Sequence, residues 1–331
     1  MDKLYNFNQY QKLNKSYGGA NGNKICIVID NERYMLKFPS AAKQNKNMSY
    51  SNSVISEYLG SHIFNLCGIK AQETILGTYQ INNDIKVAVA CKDFTKPGLI
   101  LQDFASLKNQ IIDTSRSGKG TELNEILDTI NEQDVIQNDK LMNHFWEIFV
   151  VDALIGNWDR HNGNWGFLYD EIHDTVFFAP VFDCGSALYP QADEETIKEV
   201  LLNENKALER VYNFPTSAIA ENKHRINYYD FLMNTNNIDC LLALKNIYQR
   251  IDMTKIAQII KETPIITKEQ KTFYMYMLGL RKELIIDKAY KRAAKLILNK
   301  ASTFQTSHTR PDAFESNISD AIDNIDISDN R

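Results

Sequence analysis

The sequence predicts an α+β protein of two unequal lobes: a small β-rich lobe carrying one helix, then a larger, mainly helical one. Three observations carry this. The first ninety or so residues hold four short runs rich in Ile and Val, of strand length and separated by Asn/Asp turns. One stretch among them switches to an apolar period of three to four residues, the mark of an amphipathic helix. Beyond Asp93 the helical character dominates to about Lys300. The expected divisions are 1–93, 94–300 and a tail of 301–331.

Lys24–Asp30 and Arg33–Phe38 are the first strand runs, joined by Asp30-Asn31-Glu32. Pro39 stops the second, because it brings no N–H to a ladder. From Ser53 to Cys67, residues Val54, Ile55, Tyr58, Leu59, His62, Ile63 and Leu66 share one helix face, with Gly68 as the C-terminal stop. Thr74–Gln80 and Ile85–Cys91 return to strand character around Asn82-Asn83-Asp84. Thr121–Ile136 carries Leu123, Ile126, Leu127 and Ile130 on one face. Leu141–Ile155 is apolar on more than one face, which predicts a buried central helix ending at Gly156. Trp165–Tyr169 and Val176–Phe182 make a short strand pair, and Glu194–Tyr212 and Cys240–Lys300 are helical again. From Ser302 on there are six acids, two bases and two aromatics, which reads as a solvated, disordered tail. There is no internal repeat.

The composition is that of an ordinary soluble globular chain: 331 residues, 44% apolar and 24% charged. It excludes a fibre, a small disulfide scaffold and a wholly disordered chain. Lys plus Arg number 37 against 42 Asp plus Glu, a net charge of -5, so no nucleic-acid partner is expected. Asn is abundant, with 33 copies, a bias that also supplies turns. The five cysteines are odd in number and widely spaced, without a C-x-x-C pair. They read as buried thiols in a reducing setting, with neither a disulfide frame nor a metal knuckle. The N-terminus lacks the apolar core of a signal peptide. The most apolar window, Phe145 to Gly156, contains Glu147 and Asp152 and is too short to cross a bilayer, so no transmembrane segment is expected. A cytoplasmic location follows, with export lacking a signal peptide left open. Cys240–Lys300 carries 13 basic and 5 acidic residues. With Glu269, Glu283 and Asp287 interleaved it reads as a solvated helical face; a docking surface for an acidic protein or an anionic membrane is the sharper alternative.

The chemistry concentrates in Gly156-Asn-Trp-Asp159-Arg-His161-Asn-Gly-Asn164, between a buried helix and a strand. An Asp followed five positions later by an Asn is the spacing of kinase catalytic loops. There the Asp orients or deprotonates the attacking hydroxyl and the Asn holds Mg²⁺. Phe182-Asp183-Cys184-Gly185 follows at the end of the second strand, with a carboxylate able to supply the other Mg²⁺ ligand and a glycine that permits a sharp turn. Taken singly, Asp159 and Asn164 could cap a helix or make an Asx-turn, and Asp183 could be an ordinary turn residue. Both motifs in register on one strand–loop–strand unit favour the catalytic reading.

Asp159-Arg-His-x-x-Asn164 followed by Ala179-Pro-Val-Phe-Asp183-Cys-Gly-Ser resembles the HipA-like serine/threonine kinases, relatives of the phosphatidylinositol 3-kinase-like fold. The N-terminal half agrees. Gly18-Gly19-Ala20-Asn21-Gly22-Asn-Lys24 resembles the family's phosphate loop, and Lys37 before Phe38-Pro39 its strand lysine. Ser56-Glu57-Tyr58 with Cys67-Gly68-Ile69 resembles its helix and helix ending. The resemblance spans residues 14 to 300 and implies a bilobal protein-kinase-like fold with ATP between the lobes.

It also implies roles. Lys37 offers an ammonium to the α/β-phosphates and Glu57 pairs with it. A strand lysine can equally be exposed, and a lone helical Glu is most often at the surface. Backbone N–H groups of Gly18–Gly22 approach the phosphates, although Gly-Gly-x-x-Gly is also an ordinary turn. Val89–Lys92, Cys91 among them, forms the hinge that meets adenine. His161 braces the catalytic loop by hydrogen bonds, with metal ligation the lesser alternative because no second His or Cys sits at ligand spacing, and Arg160 is available to neutralise carboxylates or phosphate. HipA toxins carry an additional N-terminal subdomain that helps meet an antitoxin; here the phosphate loop begins within twenty residues, so that role is not expected. The expected function is transfer of the ATP γ-phosphoryl to Ser or Thr of a protein substrate, the chain itself included. Ser16, Ser49, Ser51, Ser53, Thr114, Ser115 and Ser117 lie in polar stretches suited to self-phosphorylation. A lipid or small-molecule kinase, or a nucleotide-binding signalling module with little transfer, are the alternatives.

Overall fold

A computed structural model describes residues 4–17, 24–39, 51–111 and 117–306, with backbone alone for residue 117 and residues 298–306. The phosphate loop, Ser49, Thr114, Ser115 and the chain beyond 306 lie outside the described residues.

The N-terminal half is a six-stranded sheet carrying one helix. Its strands are β1 (Tyr5–Asn6), β2 (Gln11–Leu13), β3 (Ile25–Ile29), β4 (Glu32–Lys37), β5 (Thr74–Ile81) and β6 (Asp84–Lys92), in the order β1-β5-β6-β4-β3-β2. Only β1 and β5 pair in parallel. Asp30 and Asn31 both take positive φ, 50° and 64°, so the β3–β4 turn is the two-residue type whose twist suits a hairpin. One sheet face closes over Phe7, Ile27, Ile29, Tyr34, Leu36, Ala88 and Ala90. The other packs on α1 (Ser53–Leu66) through Val54, Ile55, Tyr58, Leu59 and Ile63. Lys37 ends β4 opposite Val89 of β6, on the α1 side. Gly68, at φ 76°, ends α1 where the sequence predicts.

The remainder is helical around α4 (Asn138–Ile155), which is buried on nearly every face. Gly156, at φ 64°, closes it in the left-handed conformation that glycine adopts without a Cβ penalty. Ahead of it run β7 (Leu99–Asp103), α2 (Phe104–Ile111) and α3 (Leu123–Glu132). After it come β8 (Gly166–Asp170), β9 (Thr175–Phe178), α5 (Glu194–Leu202) and α6 (Glu204–Tyr212). The hairpin β10 (Thr216–Glu221)–β11 (His224–Asn227) follows. Then come α7 (Tyr228–Asn234), α8 (Ile238–Arg250), α9 (Met253–Glu262), α10 (Lys268–Arg281), a π-turn Lys282–Asp287 and α11 (Lys288–Thr306). The halves are joined where Val181 bonds across to Lys70 and Gln72. Among the described residues no helix is long and apolar enough to cross a membrane.

The differences from the sequence reading have local causes. β7 lies where helical character was expected. A five-residue apolar run after Pro97-Gly98 fits either form, and pairing with β8, Leu99 opposite Asp170, decides it. The helix expected over Thr121–Ile136 covers only Leu123–Glu132. Beyond it, Gln133 Oε1 accepts from the N–H groups of Val135 and Ile136 and builds a turn. Glu194–Tyr212 divides at Asn203, which ends α5 and caps α6 by accepting from Asn205 N–H. The final helix continues to Thr306.

Candidate active site

Lys37, Glu57, Asp159, His161, Asn164 and Asp183 line one cleft of about 930 Å³ between the sheet and the helical half. Lys37 reaches it from the end of β4. Its Nζ lies 3.0 Å from Glu57 Oε1 on α1 and 3.0 Å from Asp183 Oδ1. Burial alone would lower its pKa. The carboxylates of Asp183 and Glu57 outweigh that and hold it well above the ordinary lysine value. The two acids differ in access: Glu57 is 2% exposed and Asp183 48%. Glu57 is therefore an internal holder of Lys37, whereas Asp183 presents its carboxylate to the cleft. The Lys37 charge keeps the Asp183 carboxyl below the usual aspartate value, against the effect of burial.

Asp159, Asn164 and His161 come from the loop after Gly156, and backbone groups shape that loop. Asp159 N–H donates to Asn157 Oδ1 at 3.2 Å. Its carbonyl accepts from His161 N–H and from Asn164 Nδ2, each at 2.8 Å. The Asp159 carboxyl is left to the cleft. Since the Asn164 amide nitrogen is used internally, Oδ1 is the atom it can offer a cation. Partial burial raises the Asp159 pKa and Asp183 adds to this, while His161 and Arg225 draw it back. His161 accepts from Gly163 N–H at Nδ1, 3.0 Å away, the bracing contact the sequence suggested.

Arg160 turns away from the cleft. It is 3% exposed, pairs with Asp152 of α4 at 3.0 Å, and donates to the carbonyls of Asn164 and Phe182. One guanidinium thus ties α4, the catalytic loop and the segment before Asp183 together, and it is not directed at phosphate. The Cys91 side chain is fully buried beside α1, so any contact of this hinge residue with a nucleotide falls to its backbone; the lining residues there are Val89, Asp93, Phe94 and Thr95. Of the predicted phosphate loop, only the flanking Tyr17 and Lys24 are described, and both line the cleft.

Three groups had gone unread. Asp93, directly after β6, accepts from Lys15 Nζ, Tyr17 Oη and Thr95 and sits 3.5 Å from Arg33 Nε, which fixes the link between the halves. Asn157 and Asp152 join below the loop at 2.9 Å. Asp152 did leave a signal, as a charge inside an apolar helix. Gly60 of α1 approaches Cys184 so closely that a Cβ would lie 2.7 Å from Cys184 Cβ.

A family model described as the HipA-like C-terminal domain matches residues 15–262. The chain is 49% identical over 298 residues to the serine/threonine-protein kinase CtkA of Helicobacter pylori strain J99, covering 90% of this chain and 89% of that one. The crystal structure of an H. pylori proinflammatory kinase, CtkA, aligns with TM-score 0.84 at 49% identity, over 89% of this chain and 99% of that one. With the family model matched over most of its length and a kinase structure superposing on nearly all of it, the chain belongs to the HipA-like family and has its kinase-like fold.

Proposed function

We propose that this chain is an ATP- and Mg²⁺-dependent serine/threonine protein kinase that also phosphorylates itself. The observation carrying the reading is the convergence of Lys37, Asp159, Asn164 and Asp183 on one cleft. The name of the relative at 49% identity supports the same activity.

Lys37 would bind the α/β-phosphate oxygens, with Glu57 keeping it aimed when Asp183 turns to a cation. The Asp183 carboxylate and Asn164 Oδ1 are hard oxygen donors that suit magnesium. Among the described residues there is no cluster of three or more His, Cys, Asp or Glu to make an all-protein cage. Two protein oxygens completed by phosphates and water is how magnesium sits at nucleotide sites. When bound, the ion neutralises charge on the phosphates. Asp159 orients the acceptor hydroxyl and takes its proton, and most of the acceleration comes from positioning. For self-phosphorylation, Ser16 and Ser53 line the cleft.

The test is incubation of the purified chain with γ-labelled ATP and Mg²⁺, followed by acid hydrolysis. Labelled phosphoserine or phosphothreonine is the expected product. A chain that binds ATP yet labels only an added lipid or metabolite would overturn the protein-kinase assignment.

A further inference from the structure

The transferring phosphoryl group carries its charge to the acceptor side of the cleft, where the catalytic loop offers only Arg160 and His161. Arg160 is consumed by Asp152 and two carbonyls. Lys37 is held between Glu57 and Asp183, and Lys15 by Asp93. A further cation lines the same cleft as Asp159, His161 and Gly163: Lys119, from the short strap Ser117–Gly120, whose backbone is bonded to the catalytic loop.

The strap is held by the catalytic loop itself. Asn162, three residues after Asp159 and 1% exposed, donates through Nδ2 to Gly118 O at 2.9 Å and to Gly120 O at 2.8 Å. Those carbonyls flank Lys119 on either side. Fully buried Lys108 donates to Gly120 O at 2.7 Å, and Asn109 Oδ1 accepts from Gly118 N–H. A buried amide of the loop that carries Asp159 thus fixes the backbone around one exposed lysine, and that lysine forms no ion pair among the described residues.

We propose that Lys119 is the cation that meets the phosphoryl group in flight, supplied by a separate strap because Arg160 is turned inward. The inference rests on the kinase reading of the cleft. In the step, the acceptor oxygen forms a bond to the γ-phosphorus as the bond to the β–γ bridging oxygen breaks. The hydroxyl proton passes to Asp159, ADP leaves with the bridging oxygen, and Lys119 faces the equatorial oxygens throughout. Asn162 is its positioning residue.

The experiment measures transfer from γ-labelled ATP by wild type, Lys119→Ala and Lys119→Arg, with ATP and ADP affinities by calorimetry. Lys119→Ala is expected to lower kcat on the order of 10²-fold, the scale for losing one charge-stabilising group. KM for ATP should stay within about threefold, ADP affinity and Tm should be unchanged, and Lys119→Arg should recover much of the rate. Wild-type kcat in Lys119→Ala would overturn the proposal. So would equal losses of ATP and ADP affinity, or a loss confined to one protein acceptor. A wild type without transfer would instead remove the kinase reading, and this proposal with it.

Discussion

Arg160 and Asp152 form a buried pair whose two jobs separate by mutation. Asp152→Ala leaves the guanidinium enclosed at 3% exposure without its carboxylate. Breaking a buried pair this way costs about 3–5 kcal/mol. At roughly 2 °C per kcal/mol for a chain of this size, the melting midpoint falls about 6–10 °C. Asp152→Leu combined with Arg160→Met removes both charges and fills their space with apolar side chains, so most of that loss returns. Activity does not return with it. The carbonyls of Asn164 and Phe182 have lost their donor, and the two side chains expected to hold the metal are no longer fixed. Misplacement by about 1 Å costs on the order of 10²-fold in rate. Calorimetric unfolding alongside γ-phosphoryl transfer reads both effects. A double variant with wild-type transfer would refute the positioning role. One as unstable as Asp152→Ala would refute the buried-charge account.

Gly60→Ala in a helix interior ordinarily stabilises by about 0.5–1 kcal/mol. Here the new Cβ would lie 2.7 Å from Cys184 Cβ, so a loss of roughly 1–3 kcal/mol with slower transfer is expected; a higher Tm would contradict the packing argument. Asp159 works as an acceptor only when ionised. Burial and then Asp183 raise its pKa, so kcat/KM falls with decreasing pH at a higher pH than an ordinary aspartate would give. Arg225→Met removes a positive neighbour that draws this pKa down and should move the acid limb further upward. A limb that stays in place would show that Asp159 does not govern it.

Features written in contiguous residues were the readable ones. β3 to β6, α1 and α4 follow from local periodicity, and Asp159, Asn164 and Asp183 from short spacings around turns, while Lys37 follows from the resemblance to the HipA-like kinases. What needed a distant partner was not readable. β7 is a strand because β8 pairs with it across the chain. The β10–β11 hairpin turns at Asn222 and Lys223, both with positive φ, inside a polar stretch without alternation. Periodicity alone leaves Glu57 a helical surface acid; the pairing with Lys37 that the family resemblance implies is what the fold displays. Arg160 reads as a partner for carboxylate or phosphate, and the fold decides for the carboxylate, Asp152 beneath it. Asn162 and Lys119 are far apart in sequence, and no motif links them.

The most direct test of the central claim compares wild type with Asp159→Asn using γ-labelled ATP and Mg²⁺. The backbone groups of Asp159, rather than its carboxyl, hold the loop, through Asn157, His161 and Asn164. The variant should therefore keep its Tm and its ATP affinity while transfer falls about 10²–10⁴-fold. Wild-type labelling by Asp159→Asn would contradict the account, because the proton would then have another acceptor.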